Sequence, residues 1–135
     1  MPSALQGFAQ RYTAAWCSQN PASVATFFSP NGSLQVNDNP AAVGREDITA
    51  TAQWFMTAFP DLQVLMDSVA SDDKHALYRW TLVGTNTGPG GTGAHVRVSG
   101  YEEWTFGSDG LIAKSLGQFD AVEYQRQIEM RTGAR

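Results

Sequence analysis

Apolar residues recur at helical spacing in the first part of the chain and at alternate positions in the second part. Leu5, Phe8, Tyr12 and Trp16 share one face of a helix that the pattern predicts over residues 3–18. Each of these side chains lies three or four positions after the previous one, so all four can pack against the same surface. The chain is therefore predicted to begin with an amphipathic helix.

Two further helices are predicted before the pattern changes. Pro21 suits the first turn of a short second helix. A turn at residues 29–32 and a short strand over residues 33–37 follow, and then a polar loop. A third helix is predicted over residues 45–59, and Pro60 ends it because proline cannot continue a helix.

After the third helix the apolar residues alternate with a period of two, as in strands with one buried face. Four strands are predicted, the first around Leu62 to Met66 and the others over residues 76–85, 94–106 and 111–119. Residues 88–93 are rich in glycine and are interpreted as a hairpin loop. Asp120 precedes Glu123 at the spacing of a helix-capping pair, so a short closing helix is predicted to begin there. The order predicts an α+β fold with a curved antiparallel sheet packed against three N-terminal helices.

Composition narrows the functional classes. The chain of 135 residues has the size of one domain over residues 1–135. A net charge of −4 with only nine lysines and arginines argues against nucleic acid as a partner. The sequence has no run of 18 apolar residues, so no membrane span is predicted. It also has no basic segment followed by an apolar stretch near its start, so no secretory signal is predicted. With Cys17 as its single cysteine, the chain is expected to be cytoplasmic.

Motifs for bound groups are missing from the sequence. His75 and His95 lie twenty residues apart without further histidine or cysteine partners, which does not predict a metal site. The glycines of residues 88–93 are not followed by a lysine and a serine or threonine, and they do not lead into a helix, so they do not form a phosphate-binding loop. We therefore expect neither a metal nor a cofactor.

Six segments in a fixed order resemble the SnoaL-like polyketide cyclases, which belong to the nuclear-transport-factor-2-like superfamily together with the ketosteroid isomerases. They are RYTAAW at residues 11–16, GREDI at 44–48, AFPDL at 58–62, RWTLVGT at 79–85, VRVSG at 96–100 and the tail from Asp109–Gly110 to Ile128. The resemblance implies a cone-shaped, cystatin-like fold with an apolar interior, a small apolar or aromatic ligand, and a homodimer formed through the sheet. It also implies ring closure by aldol condensation, in which an acid in the last strand moves the proton.

The sequence departs from the cyclases in that last strand. The positions that usually hold histidine and aspartate fall at Ser115 and Gly117, and glycine cannot move a proton. The nearby Asp120 is predicted to be a helix cap rather than a catalytic group. A cyclase mechanism therefore requires an acid from another part of the chain.

Other polar residues can supply that chemistry. The candidate catalytic residues are Asp38 in the loop after the first strand, Glu103 in a long strand, and Gln118. Glu102 and Glu103 are adjacent in their strand, so they point to opposite faces, and the pattern leaves open which face is inside. Asp38 or a strand glutamate would be the proton shuttle, with Gln118 or Tyr101 donating to the oxyanion. The alternatives are a turn-forming loop aspartate and a glutamate paired with a strand arginine.

Aromatic residues are candidates for the walls of a ligand pocket. Trp16 and Thr51 match positions that line the pocket in the cyclases. The full set of predicted substrate-binding residues is Tyr12, Trp16, Thr51, Trp54, Phe55, Tyr78 and Tyr101. Three hypotheses result: a cofactor-independent cyclase or isomerase acting on an aromatic or polycyclic ketone, a binding domain without chemistry, and an epoxide hydrolase.

Overall fold

Helices and strands follow one another much as the sequence predicts. The computed structural model describes residues 4–71 and 75–129, so the predicted helix start at Ser3 lies outside the described residues. The helices are α1 (Ala4–Cys17), α2 (Pro21–Ala25), α3 (Arg45–Ala58) and α4 (Ala121–Glu129). The strands are β1 (Phe28–Val36), β2 (Ala42–Val43), β3 (Gln63–Ser71), β4 (His75–Thr85), β5 (His95–Phe106) and β6 (Ile112–Phe119).

All six strands form one curved sheet that does not close into a barrel, in the order β2-β1-β6-β5-β4-β3. The neighbouring pairs β3–β4, β4–β5 and β5–β6 are antiparallel, as predicted. The pairing of β1 with β6 is parallel, which the prediction of an antiparallel sheet does not include. These two strands come from distant parts of the chain, so no hairpin turn fixes their relative direction.

Strand β1 begins earlier than the sequence pattern predicts. Residues 29–32 were predicted as a turn, but they belong to β1, whose register against β6 shifts between Phe28 and Ser33. Gly32 permits the close approach to β6, since a Cβ at this position would lie 2.7 Å from the Ile112 carbonyl oxygen. The two-residue β2 was not predicted, because a strand this short contains no alternation to recognise. Its pairing with β1 adds an outer strand beside the start of α3.

Helices α1 and α3 bury their apolar faces against the inner face of the sheet, which we define as the face turned toward these helices. Side chains at the centre of the core include Tyr12 from α1, Tyr78 from β4 and Trp104 from β5, each less than 2% exposed. The Tyr78 and Trp104 rings stack with their centroids 4.8 Å apart, and the Tyr12 ring meets Trp104 edge-on at 5.1 Å. Of these three residues, Tyr78 also lines the cavity described below.

Helix α4 packs beside β5 and the glycine-rich loop. Asp120 Oδ1 accepts a hydrogen bond from the Glu123 backbone N–H at 3.0 Å, which is the contact of an N-terminal cap. Gln127 exchanges side-chain hydrogen bonds with the backbone N–H and carbonyl of Arg97. The Thr92 hydroxyl donates to the Ile128 carbonyl oxygen and so joins the loop to the helix. Among the residues that the structure describes, no helix is long and apolar enough to cross a membrane.

Candidate functional site

A cavity lies between α1, α3 and the inner face of the sheet. It holds about 610 Å³ of empty space, including its opening to solvent. Its aromatic walls are Trp16, Phe55, Tyr78, Trp80, Phe119 and Tyr124. Aliphatic side chains complete most of the remaining surface, and Glu102 is the one carboxyl group among the described residues that line it. The cavity therefore suits an apolar ligand that presents a polar group to Glu102.

Glu102 is held by three hydrogen-bond donors in the interior. Ser115 Oγ lies 2.7 Å from Glu102 Oε1, and Trp104 Nε1 donates to the same oxygen at 2.9 Å. Tyr12 Oη also donates to Oε1 at 2.9 Å and lies 3.2 Å from Oε2. The Glu102 side chain is thus fixed in position, and the whole residue is only 7% exposed.

Burial controls the acidity of this carboxyl group. Removal from water raises the pKa of Glu102 above its ordinary value, while the hydrogen bonds from Trp104, Ser115 and Tyr12 act in the opposite direction. Burial and the nearby Glu102 also raise the pKa of Tyr12, so its phenol keeps its proton and remains a donor. A glutamate with a raised pKa is suited to giving and taking a proton near neutral pH.

Alternation along β5 explains why Glu102 faces the cavity. Val98, Glu102 and Trp104 are buried on the inner face, whereas Arg97 and Glu103 are exposed on the outer face. The inner set contains the more apolar residues, and strand residues two apart share a face. This apolar bias is the sequence signal that favours Glu102 over Glu103, and the sequence prediction did not use it.

Gly117 lies directly opposite Glu102 in the register between β5 and β6. A Cβ on Gly117 would stand 3.6 Å from Glu102 Cγ and 3.2 Å from the Gln35 carbonyl oxygen. Because Gly117 has no side chain, the Glu102 side chain can occupy the space in front of β6. The carboxyl group thus comes from β5 and stands across from the last-strand position where the cyclases are expected to hold an acid.

The structure places the three predicted catalytic residues away from the cavity. Glu103 and Gln118 are exposed on the outer face of the sheet, and Asp38 is exposed in the loop between β1 and β2. Tyr101, 37% exposed, also lies on the outer face, where it borders a shallow depression with Gln118, Asp67 and Arg79. None of these four residues lines the cavity with Glu102, although Phe119 borders both the cavity and the outer depression.

The predicted substrate-binding residues divide into two groups. Trp16, Phe55 and Tyr78 line the cavity. Tyr12 does not line it but donates a hydrogen bond to Glu102, which does. Thr51 and Trp54 line a second groove between α3 and the β1–β2 segment, where Trp54 is 59% exposed. The two spaces share Phe55, whose ring packs edge-on against both Trp16 and Trp54. Leu34 and Val36 also line both spaces, so these two residues and Phe55 lie between the exposed groove and the interior cavity.

Side chains that could hold a metal are not clustered. Within residues 4–71 and 75–129, no group of three or more histidine, cysteine, aspartate or glutamate side chains could hold a metal ion. Cys17 Sγ instead contacts the backbone of Val64, accepting from its N–H at 3.3 Å.

Comparison with known proteins agrees with this architecture. Three solved structures of similar fold are TsrD from Streptomyces laurentii, a protein with a ketosteroid isomerase-like fold from Catenulispora acidiphila DSM 44928 in complex with trimethylamine, and a phenazine biosynthesis-related protein from Pseudomonas aeruginosa. Their TM-scores are 0.80, 0.79 and 0.74, and their identities to this chain are 19%, 16% and 14%. The alignments cover 96%, 90% and 96% of this chain and 98%, 91% and 90% of those chains, respectively. At these identities the similarity shows the fold alone.

The family assignment comes from the sequence. No curated protein matches the chain. A family model described as SnoaL-like polyketide cyclase matches residues 6–128, which include most of α1, the whole of α2 and α3, all six strands and most of α4. The chain therefore belongs to the SnoaL-like polyketide cyclase family.

Proposed function

We propose that the protein is a cofactor-independent enzyme that moves a proton at the carbonyl group of an aromatic or polycyclic ketone, as a cyclase or isomerase. The observation that carries this proposal is the buried Glu102 carboxyl group, which accepts three hydrogen bonds at the wall of an apolar cavity. A carboxyl group in such surroundings can be held neutral until it donates to a ligand oxygen, as in ketosteroid isomerase. Glu102 thus replaces Asp38 and Glu103 as our proposed proton shuttle.

Ring closure illustrates the proposed step. An ionised carbon of the substrate attacks its own carbonyl carbon, the new carbon–carbon bond forms, and the carbonyl π electrons pass to oxygen. That oxygen takes the proton of Glu102 and becomes a hydroxyl group. Tyr12, Ser115 and Trp104 already point their donors at the carboxylate that is left, so little rearrangement is needed. Glu102 regains a proton from the acidic C–H group of the next substrate.

The aromatic walls favour a flat ligand. Trp16, Phe55 and Tyr78 present ring surfaces to the cavity, and rings gain from edge-to-face and offset contacts with other rings. Because the cavity walls are almost entirely apolar, they hold little water near the reacting atoms. Each hydrogen bond to the oxyanion is therefore stronger than it would be in water. A charged or strongly hydrated substrate would lose its hydration without gaining a partner other than Glu102.

The experiment compares two adjacent glutamates. Purified wild type, Glu102→Gln and Glu103→Gln are incubated with 1-tetralone in deuterium oxide, and proton NMR follows exchange of the hydrogens beside the carbonyl. We expect wild type and Glu103→Gln to accelerate the exchange. The exchange rate with Glu102→Gln should be at least about 100-fold lower, which is the lower end of the range for general acid–base catalysis. Equal exchange in wild type and Glu102→Gln would contradict the role of Glu102.

A non-catalytic ligand-binding domain is the second candidate. It is favoured by Gly117 at the last-strand position of the usual acid, and by the three protein donors that already hold Glu102 Oε1. In that case ketones would bind to wild type and Glu102→Gln alike, and no variant would accelerate exchange. An epoxide hydrolase would instead use the Glu102 carboxylate to activate water, and a small aromatic epoxide such as styrene oxide would be opened by wild type only.

We also propose that the protein forms a homodimer through the outer face of the sheet. Leu65 and Tyr101 leave apolar surface exposed on this face, which the helices do not cover. Burial of such surface is the main driving force of association. Light scattering after gel filtration would measure the mass of wild type and of a Leu65→Lys/Tyr101→Lys double variant. A monomeric mass for wild type would refute the dimer.

A further inference from the structure

The Trp80 indole nitrogen is a buried donor without an acceptor. Among the residues that the structure describes, Trp80 Nε1 is the single buried side-chain nitrogen or oxygen atom with no hydrogen-bond partner. An indole N–H can only donate, and the great majority of buried polar atoms in proteins are paired. Trp104 shows the usual arrangement, since its Nε1 donates to Glu102 at 2.9 Å. The two tryptophans are thus used differently on the same face of the sheet.

Trp80 lies at the cavity beside the proposed catalytic carboxyl group. It is one of the cavity walls, and its ring packs edge-on against Phe119 with centroids 6.0 Å apart. Gly100 lies opposite Trp80 in the register between β4 and β5. A Cβ on Gly100 would lie 2.7 Å from Trp80 Cζ2, which belongs to the same edge of the indole as Nε1. The nitrogen-bearing edge therefore rests over Gly100, where no side chain can serve as acceptor.

Glu102 is two residues after Gly100 and points to the same face. Trp80 and Glu102 are accordingly diagonal neighbours on adjacent strands, a relation with a spacing of about 7–8 Å. This is the spacing of their backbone positions, and a fused two-ring molecule has a similar length. Two residues of the cavity wall thus carry buried polar groups, the carboxyl group of Glu102 and the unpaired indole N–H of Trp80.

We propose that Trp80 Nε1–H donates a hydrogen bond to a second oxygen of the ligand, so that the site selects flat, apolar compounds with two oxygen acceptors. One oxygen meets Glu102 and the other meets Trp80. The proposal rests on the proposed function for the first oxygen only. Trp80 is in this view a residue that determines specificity and orients the ligand, and it does not take part in the proton transfer.

The test uses a series of two-ring compounds with no, one or two oxygens: tetralin, 1-tetralone and 6-hydroxy-1-tetralone. Each is titrated into protein labelled with ¹⁵N at its tryptophans, and the four indole N–H resonances are assigned from single Trp→Phe variants. Affinities are measured for wild type, Trp80→Phe and Glu102→Gln. Trp80→Phe keeps an aromatic ring and removes the donor.

We expect 6-hydroxy-1-tetralone to move the Trp80 indole proton resonance downfield and tetralin to leave it nearly unchanged. Trp80→Phe should weaken binding of 6-hydroxy-1-tetralone about tenfold, the effect of one lost hydrogen bond, and change binding of 1-tetralone less than about twofold. Equal losses for both compounds would overturn the proposal, because they would show lost packing rather than a lost donor. A Trp80 resonance that no compound moves would overturn it as well.

The same data separate this proposal from the proposed function. If Glu102→Gln keeps the ketone affinity and the exchange rate while Trp80→Phe still discriminates between the two ketones, the role of Glu102 fails and that of Trp80 stands. If Glu102→Gln abolishes exchange while Trp80→Phe does not discriminate, Trp80 is part of the wall only and the proposed function stands.

Discussion

Tyr12 Oη donates to Glu102 Oε1 over 2.9 Å, although the two residues are 90 positions apart in the chain. The contact joins α1 to β5 in the interior, where neither partner can use water instead. Its strength depends on the protonation state of Glu102, since a hydrogen bond to a carboxylate is stronger than one to a neutral acid. The Glu102 carboxyl group therefore affects both the stability of the fold and the proposed chemistry.

Stability should fall with rising pH because of Glu102. Burial raises the pKa of this group in the folded protein above its value in the unfolded chain. Between these two pKa values the folded state binds more protons, so the Glu102 contribution is fully present below the unfolded pKa and is lost as pH rises through the folded pKa. Urea unfolding at a series of pH values would measure the free energy of unfolding of wild type and of Glu102→Gln. The stability of the variant should increase relative to that of wild type as pH rises.

Glu103→Gln is the matched control for this pH dependence. Its side chain is exposed on the outer face, so its stability relative to wild type should not change in the same way. A difference between wild type and Glu102→Gln that is constant over the whole pH range would show that Glu102 titrates as it does in the unfolded chain.

The sequence was sufficient for the fold because long, regular segments carry its signal. Trp16 and Phe55 line the cavity, and helical spacing in the sequence puts each of them on the apolar face of its helix. The parallel pairing of β1 with β6 was not predictable in this way, because it depends on where the chain returns after five other elements. Local patterns describe what each segment buries and say little about which distant strand lies beside it.

The candidate site was harder to predict because it is formed between elements. Ser115 was identified only as a substitution for a usual catalytic residue, yet it donates to Glu102 from the neighbouring strand. Gly117 was interpreted as the loss of an acid, whereas the register shows that it lies opposite a new one. Both relationships require the pairing of β5 with β6, which periodicity within one strand does not give.

Tyr12→Phe should destabilise the protein and raise the Glu102 pKa further. The hydroxyl group of Tyr12 lowers the pKa of Glu102, although less than burial raises it. Its removal from a fully buried pair should reduce the free energy of unfolding by about 1–2 kcal/mol. Carbon-13 NMR titration of the glutamate carboxyl groups would report the pKa change. Tyr101→Phe, which removes a hydroxyl group on the outer face, is the control, and an equal effect of the two variants would exclude a specific role of Tyr12.

Gly117→Asp should restore an acid at the expected last-strand position without restoring the usual site. A side chain here would begin 3.6 Å from Glu102 Cγ, so two carboxyl groups would share one apolar space. Because two like charges so close oppose each other, the variant should raise the Glu102 pKa and lose stability as pH rises. Gly117→Asn has the same size without the charge and serves as the comparison. If the two variants have the same pH dependence of unfolding, the introduced carboxyl group does not reach Glu102.

Gly88→Ala should show that the glycine-rich loop is packed against α3 rather than free to open. A Cβ on Gly88 would lie 2.0 Å from the Thr57 carbonyl oxygen, and its backbone N–H already donates to the Ala58 carbonyl oxygen at 3.3 Å. The added methyl group must push the loop away from the end of α3, which should lower the free energy of unfolding by about 1–3 kcal/mol. Urea unfolding would measure the change.

Gly90→Ala separates this steric effect from backbone strain in the same loop. Gly90 has no atom within 4 Å of its ideal Cβ, and its φ of +77° makes alanine unfavourable by about 1 kcal/mol through the left-handed conformation alone. A loss for Gly88→Ala that clearly exceeds this value would mean that the loop holds the end of the helix that carries Phe55 at the cavity wall. If Gly88→Ala is instead no worse than Gly90→Ala, the loop moves away from α3 easily and does not hold the end of that helix.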